Sequence, residues 1–162
     1  MMYFSTDYSS PIGNMMIVSD GEAICGVWFY GQKHFKSTVG ETIENDDLDI
    51  FKKVTDFFDD YFDAKNPAID FKLRPRGSEF RCRVWKILSE IPYGKTMAYG
   101  EIASRISSTM SAQAVGGAVA NNPISILIPC HRVMGADGKL TGYAAGVDKK
   151  IELLKIEKII RV

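Results

Sequence analysis

The segment ILIPCHRVMG, residues 126–135, places a cysteine, a histidine and an arginine in succession behind an apolar run. A thiolate is a nucleophile and a metal ligand, and an adjacent imidazole can take the thiol proton. Pro129 fixes the backbone just before Cys130 and biases Ile128 away from the helical region. Arg132 adds positive charge where a phosphate can sit, although a structural salt bridge fits it as well. Cys130 is therefore a packed apolar atom, a metal ligand or a nucleophile. The metal reading has little to build on: CxxC and HxxxH are absent, and the only histidines are His34 and His131. Glu157 strengthens the nucleophilic reading. At about 100° per residue it falls between Leu153 and Leu154 on a helical wheel, where a carboxylate needs a partner. A lysine or arginine would make that partner a salt bridge. An imidazole would make Cys130, His131 and Glu157 a nucleophile, a base and its orienter.

These residues need a scaffold. The 162 residues, 46% hydrophobic and 25% charged, can bury a core as one domain or two small ones. Strand pattern on either side of Asp20-Gly21-Glu22 predicts a β-hairpin over residues 14–30, with residues 2–8 as a further strand. Leu48, Phe51, Val54, Phe58 and Tyr61 recur at helical spacing, so residues 48–63 read as an amphipathic helix. Residues 68–73 return to the sheet in this reading. RPRGS, residues 74–78, breaks both regular structures and divides the chain into domains 1–75 and 76–162. The second part reads as helices. Ser78 is a candidate N-cap for a stripe of Phe80, Val84, Ile87, Leu88 and Ile91, which Pro92 and Gly94 end. Residues 97–107 and 111–123 form two short helices with the spacing of a helix-turn-helix. Residues 136–146 are turn-rich, and residues 148–160 close the chain as a helix.

Helix 111–123 is unusual. It carries Ala, Gly and Val where a surface helix carries long polar side chains, and each glycine costs about 1 kcal/mol relative to alanine. Either a neighbouring helix packs very close to Gly116 and Gly117, or this face must approach a partner's backbone. A face this bare suits a nucleic-acid groove read by shape, since it has little with which to read base edges. Charge is divided unevenly. Residues 1–75 hold 7 Lys+Arg and 13 Asp+Glu, net −6; residues 76–162 hold 13 and 7, net +6. Solvated faces explain this as readily as a basic half that meets a polyanion. No apolar run approaches the ~20 residues of a membrane span. The N-terminus lacks a signal-peptide pattern, and three scattered cysteines suit a reducing, cytoplasmic setting.

PCHRV, preceded by AVGGAVANNPISILI and followed by GYAAG and LLKIE, resembles the methylated-DNA–protein-cysteine methyltransferases, the O6-alkylguanine-DNA alkyltransferases. FRCRVWKILSEIPYGKTMAYGEIA fits the same family, and SPIGNMMIVSDGE fits its N-terminal domain. The resemblance implies an α+β fold. A small antiparallel sheet with a helix, ribonuclease H-like, would precede a helical domain of winged helix-turn-helix type that carries the acceptor cysteine. It implies single-turnover, irreversible transfer of a methyl or alkyl group from O6 of guanine, or O4 of thymine, in double-stranded DNA to Cys130. In that picture His131, through a water, takes the thiol proton, Glu157 orients His131, and Asn122 holds the turn. Tyr99 helps rotate the flipped nucleotide. Ala112, Gln113, Ala114, Gly116 and Gly117 face the minor groove, with Arg132 as a further DNA contact. Val133, Tyr143, Ala144 and Ala145 border the base pocket with Tyr99; the carbonyls of Cys130 and Val133 meet the base's exocyclic amine, and the Ala144 N–H lies near the guanine oxygen. The chain is expected to act as a monomer without metal or organic cofactor.

Two departures bear on this. Gln113 stands where the family usually has an arginine that fills the stack. Ala144 and Ala145 stand where serine and glycine are common, which bears on the range of alkyl groups. Two other readings stand beside the resemblance: an alkylated-DNA-binding damage sensor with little transfer, and a Cys-His hydrolase of small acyl substrates. Relatives that only bind lack the cysteine, and this chain has it; no feature singles out the oxyanion hole a hydrolase needs. Cys25 is expected in the core, Cys82 as a packed or half-exposed thiol, and His34 on the surface.

Overall fold

Strands β1 (Tyr3–Ser10) and β2 (Gly13–Ser19) form an antiparallel hairpin in the computed structural model, which describes residues 1–161. β2 continues antiparallel into β3 (Ile24–Phe29). The turn between them is made by Asp20, whose Oδ1 accepts the N–H groups of Glu22 and Ala23, both at 2.9 Å; Gly21 supplies the positive φ of 99°. A three-residue strand, β4 (Thr42–Glu44), pairs parallel with β1, giving the order β3-β2-β1-β4. The sheet is thus antiparallel with one parallel edge strand, which three residues are too few to announce by alternation.

β3 ends the sheet order, yet all six of its residues are buried. A buried edge cannot leave its backbone groups unpaired, and two chain segments satisfy them. Ile24 N–H donates to Lys72 O at 2.8 Å and Arg74 N–H to Ile24 O at 2.7 Å; Val27 N–H donates to Pro123 O at 2.9 Å and Ser125 N–H to Val27 O at 3.0 Å. The expected return of residues 68–73 to the sheet reduces to this single parallel bridge at Leu73. Helix α1 (Asp49–Phe62) lays Phe51, Val54, Phe57, Phe58 and Tyr61 against β1 and β2. Two units result: Met1–Arg76 with Pro123–Ser125, and Gly77–Asn122 with the chain from Ile126 onward.

In the second unit, helix α2 (Glu79–Ser89) starts where Ser78 Oγ accepts the Arg81 N–H at 3.2 Å. Its Trp85 is buried, and the indole N–H donates to Ala118 O at 2.8 Å. Helix α3 (Tyr99–Ile106) and helix α4 (Ala112–Ala120) follow, joined by residues 107–111. Ser111 caps α4 by accepting the Ala114 N–H at 3.1 Å. Helices α2, α3 and α4 pack on one another. A short parallel pair, β5 (Met97–Ala98) with β6 (Val133–Met134), ties the start of α3 to the backbone after Arg132.

The last helix, α5 (Val147–Ile156), is shorter than the sequence suggests. Lys158 takes a left-handed φ of 60°. Ile159 N–H then reaches Leu154 O at 2.9 Å and Lys158 N–H reaches Lys155 O at 3.0 Å. This is a Schellman stop built on lysine instead of glycine. Glu157 is therefore the C-cap, and the wheel that singled it out does not describe its backbone.

Candidate active site

Cys130 opens a single 3-10 turn, Cys130–Arg132, directly after Pro129. Asn122 Nδ2 donates to Ile128 O at 2.8 Å and so braces the approach to that turn. Cys130 is buried, 6% exposed as a residue. Burial pushes its pKa up, while hydrogen bonds from the Asn122 and Tyr143 side chains and the charge of Lys150 pull the other way. Burial dominates, so the resting sulfur is a thiol. Its ionisation must therefore be coupled to loss of the proton to a base.

His131, next to Cys130 on the same turn, is the candidate base. His131 and Glu157 are both buried, and His131 Nε2 meets Glu157 Oε2 at 2.5 Å. Burial is the largest effect on the imidazole and lowers its pKa; Glu157 opposes it. A neutral ring donates Nε2–H to the carboxylate, which leaves Nδ1 as the atom that can accept a proton. The other Glu157 oxygen, Oε1, accepts Arg132 Nε–H at 2.8 Å and Gly94 N–H at 3.1 Å. Three donors on one buried carboxylate fix its orientation, and through it that of His131.

Arg132 takes the second of its two readings, the structural salt bridge. It is 9% exposed, its Nε is committed to Glu157, and another guanidinium nitrogen donates to Ile91 O at 2.8 Å. Its charge balances Glu157 inside the protein and is not presented to a phosphate. The expected DNA contact at Arg132 is thus replaced by the structural salt bridge.

Sequence reasoning missed Lys150. It is fully buried, and its Nζ donates to Val133 O at 2.7 Å and to Thr141 Oγ1 at 3.4 Å. Burial lowers its pKa, and a charged Cys130 would raise it. An ammonium here favours the ionised sulfur. The signal was available: Lys150 lies three and four residues before Leu153 and Leu154, on the face that drew attention to Glu157.

α4 resolves the question its glycines raised. A Cβ on Gly117 would meet nothing within 4 Å, and one on Gly116 would meet only Tyr99, at 3.9 Å. No neighbouring helix demands glycine at either position. Ala112, Gln113, Ala114 and Gly117 are exposed, and α4 carries no charged side chain. A concavity of about 460 Å³ runs along this face, lined by Ala98, Tyr99, Gly100, Ala112, Gln113, Gly116 and Ala136. Tyr99 is part of that lining. Of the other residues assigned to the base pocket, Val133 is buried, and Tyr143, Ala144 and Ala145 are half-buried in the loop before α5; none of them lines this concavity. Among the described residues no group of three His, Cys, Asp or Glu side chains could hold a metal ion, and no helix is long and apolar enough to cross a membrane.

A helix-turn-helix unit that holds a buried cysteine beside an oriented histidine–glutamate pair defines a class: a DNA-facing scaffold carrying a thiol nucleophile. Residues 79–159 match the family described as 6-O-methylguanine DNA methyltransferase, DNA binding domain, and residues 2–75 match its ribonuclease-like domain. The chain belongs to the methylated-DNA–protein-cysteine methyltransferase family. It is 41% identical to the methylated-DNA–protein-cysteine methyltransferase of Haemophilus influenzae over 157 residues, covering 96% of this chain and 87% of that relative. It is 43% identical to that of Methanosarcina acetivorans over 156 residues, covering 96% and 98%. Among solved structures, the Mycobacterium tuberculosis O6-methylguanine methyltransferase superposes with a TM-score of 0.83 at 37% identity, covering 97% of this chain and 93% of that one. An M. tuberculosis OGT in complex with DNA superposes with a TM-score of 0.81 at 39% identity, covering 98% and 93%.

Proposed function

We propose that this protein repairs DNA by direct reversal, transferring a methyl or alkyl group from O6 of guanine to Cys130 in one irreversible turnover. The observation that carries this reading is the buried His131–Glu157 pair, whose histidine lies on the turn that bears Cys130 and whose glutamate caps α5. The Cys130 proton passes, through a water, to His131 Nδ1, and the imidazolium formed is balanced by Glu157. Sulfur attacks the alkyl carbon, the carbon–O6 bond breaks, and a thioether forms. The electron pair returns to the purine, which takes up a proton. Lys150 stabilises the sulfur while it is charged. A thioether has no route back to the thiol here, so each chain acts once.

An exocyclic substituent inside a paired duplex is beyond the reach of a thiol, so the nucleotide must leave the stack. The bare face of α4 enters the minor groove, where binding rests on phosphate charge and DNA deformability. Tyr99 assists the rotation and Gln113 fills the vacated space. The Cys130 and Val133 carbonyls receive the base's exocyclic amine, and the Ala144 N–H and Tyr143 border the pocket with Ala145. Val133 O already accepts from Lys150 and has a second lone pair for the base. Residues 76–162 form the DNA-binding and acceptor domain, and 1–75 the N-terminal domain. The protein works as a monomer in the cytoplasm, where reducing conditions keep Cys130 free.

Mass spectrometry tests the transfer. Incubation with duplex DNA containing O6-methylguanine is expected to add one methyl group to the Cys130 peptide, with one lesion lost per chain, and Cys130→Ala is expected to show neither. DNA binding without the mass gain would instead make the protein a damage sensor. Gln113 gives a second prediction. Arginine there would add a charge near the phosphates and a longer wedge, so Gln113→Arg is expected to tighten duplex binding and speed single-turnover repair by about tenfold. An equal or lower rate would reject that role for residue 113.

A further inference from the structure

Thr141 lies in the irregular stretch between β6 and α5, and three elements converge on it. Its Oγ1 is 3.1 Å from the Tyr99 hydroxyl at the start of α3. It accepts from Lys150 Nζ, on α5, at 3.4 Å. Its methyl group lies against the backbone of Gly135: a Cβ built there would come within 2.8 Å of Thr141 Cγ2. Gly135 in turn closes the preceding loop by donating its N–H to Lys139 O at 2.8 Å. A threonine hydroxyl has one proton and two lone pairs, so it serves both partners at once. Tyr99 lines the concavity along α4, while Lys150 lies close enough to Cys130 for their charges to interact.

We infer that Thr141 is a positioning residue for the transfer: its hydroxyl links the Tyr99 phenol at the concavity to the buried Lys150 beside Cys130, holding the nucleotide-handling side chain and the acceptor sulfur in register. This rests on the transfer reading above. The half-buried phenol would otherwise be free to rotate toward the concavity, and its ordering would have to occur during nucleotide extrusion. The link therefore acts on the rate after binding and not on the affinity for DNA. It also gives the loop a reason to carry threonine: serine would keep the hydrogen bonds and valine would keep the packing on Gly135, but neither does both.

The test is single-turnover repair of O6-methylguanine duplex DNA by the full chain at saturating protein, with duplex affinity and thermal midpoint measured on the same samples. Thr141→Val, which keeps the shape and loses the hydroxyl, is expected to slow transfer about tenfold with affinity unchanged. Thr141→Ser is expected to restore most of the rate. In a double-mutant cycle, adding Thr141→Val to Tyr99→Phe is expected to cost less than Thr141→Val costs alone, because the bond to Tyr99 is already gone and only the Lys150 contact remains to be lost. Wild-type speed in Thr141→Val, a Thr141→Ser as slow as Thr141→Val, or additive losses in the cycle would each overturn the inference. If valine lowers the thermal midpoint substantially, Thr141→Ala carries the same comparison. A wild-type chain that gains no methyl group would reject the transfer reading itself, an outcome distinct from any of these.

Discussion

Glu157→Ala is expected to destabilise the second unit by about 3–5 kcal/mol, the usual result of removing one partner from a buried ion pair. The deletion leaves Arg132 Nε, His131 Nε2 and the Gly94 N–H without their shared acceptor. Water cannot replace it cheaply at a site where both His131 and Glu157 are buried. The thermal midpoint should fall by roughly 10 °C in a chain of this size, read from the emission of Trp85, which is packed in the same unit. Glu157→Gln separates stability from chemistry. Its carbonyl oxygen can still accept from Arg132, but its amide then faces His131 Nε2. To accept from the amide, the ring must move its proton to Nδ1, which can no longer take the Cys130 proton. That variant should lose little stability and most of its transfer rate. An unchanged midpoint in Glu157→Ala would mean that Arg132 finds another partner and that the carboxylate does not hold this site.

Residues whose role is local were legible in the sequence. Ser78 caps the helix that follows it, and the apolar stripe of α1 packs as its spacing implies, with Phe57 added to it. What depends on distant partners was not. The outward pairing of β3 with residues 72–74 and 123–125 joins segments far apart in the chain, and no periodicity announces it. β4 is too short to alternate. Glu157 was singled out because a carboxylate among leucines demands explanation, yet its placement comes from the left-handed Lys158 and not from the wheel. Lys150 passed unremarked on the same face because a lysine on a helix is by default solvated, its long stem able to carry the charge outward. Arg132 shows the converse: its charge suggested a phosphate, and its neighbours in space decided otherwise. The glycines of α4 left two readings that only the empty space around Gly116 and Gly117 could separate. The state of Cys130 also required the fold, since adjacent residue types do not reveal how completely the sulfur is desolvated.

His131→Phe is expected to slow transfer by about 10²–10⁴-fold, the range for loss of a general base, and to change the shape of the pH profile as well as its height. In the wild-type chain burial holds the imidazole below its ordinary pKa and the thiol above its own. Between those two values both groups are in their reactive forms, thiol and neutral base, so the rate should be level across roughly pH 6.5–8.5, the span between the ordinary histidine and cysteine values. Without the imidazole only the small ionised fraction of Cys130 can react. Below the thiol's raised pKa that fraction grows about tenfold per pH unit, so the plateau should become a rising line. Stability follows the same shift with a definite sign. Below about pH 6.5 an unfolded histidine takes a proton that the buried ring resists. The unfolded state then binds more protons, and the contribution of His131 to stability, present above that pH, is lost as pH falls. Rapid-quench rates at saturating protein across this range test the assignment. A level profile in His131→Phe, or a wild-type profile already rising tenfold per unit, would show that the Cys130 proton leaves by another route.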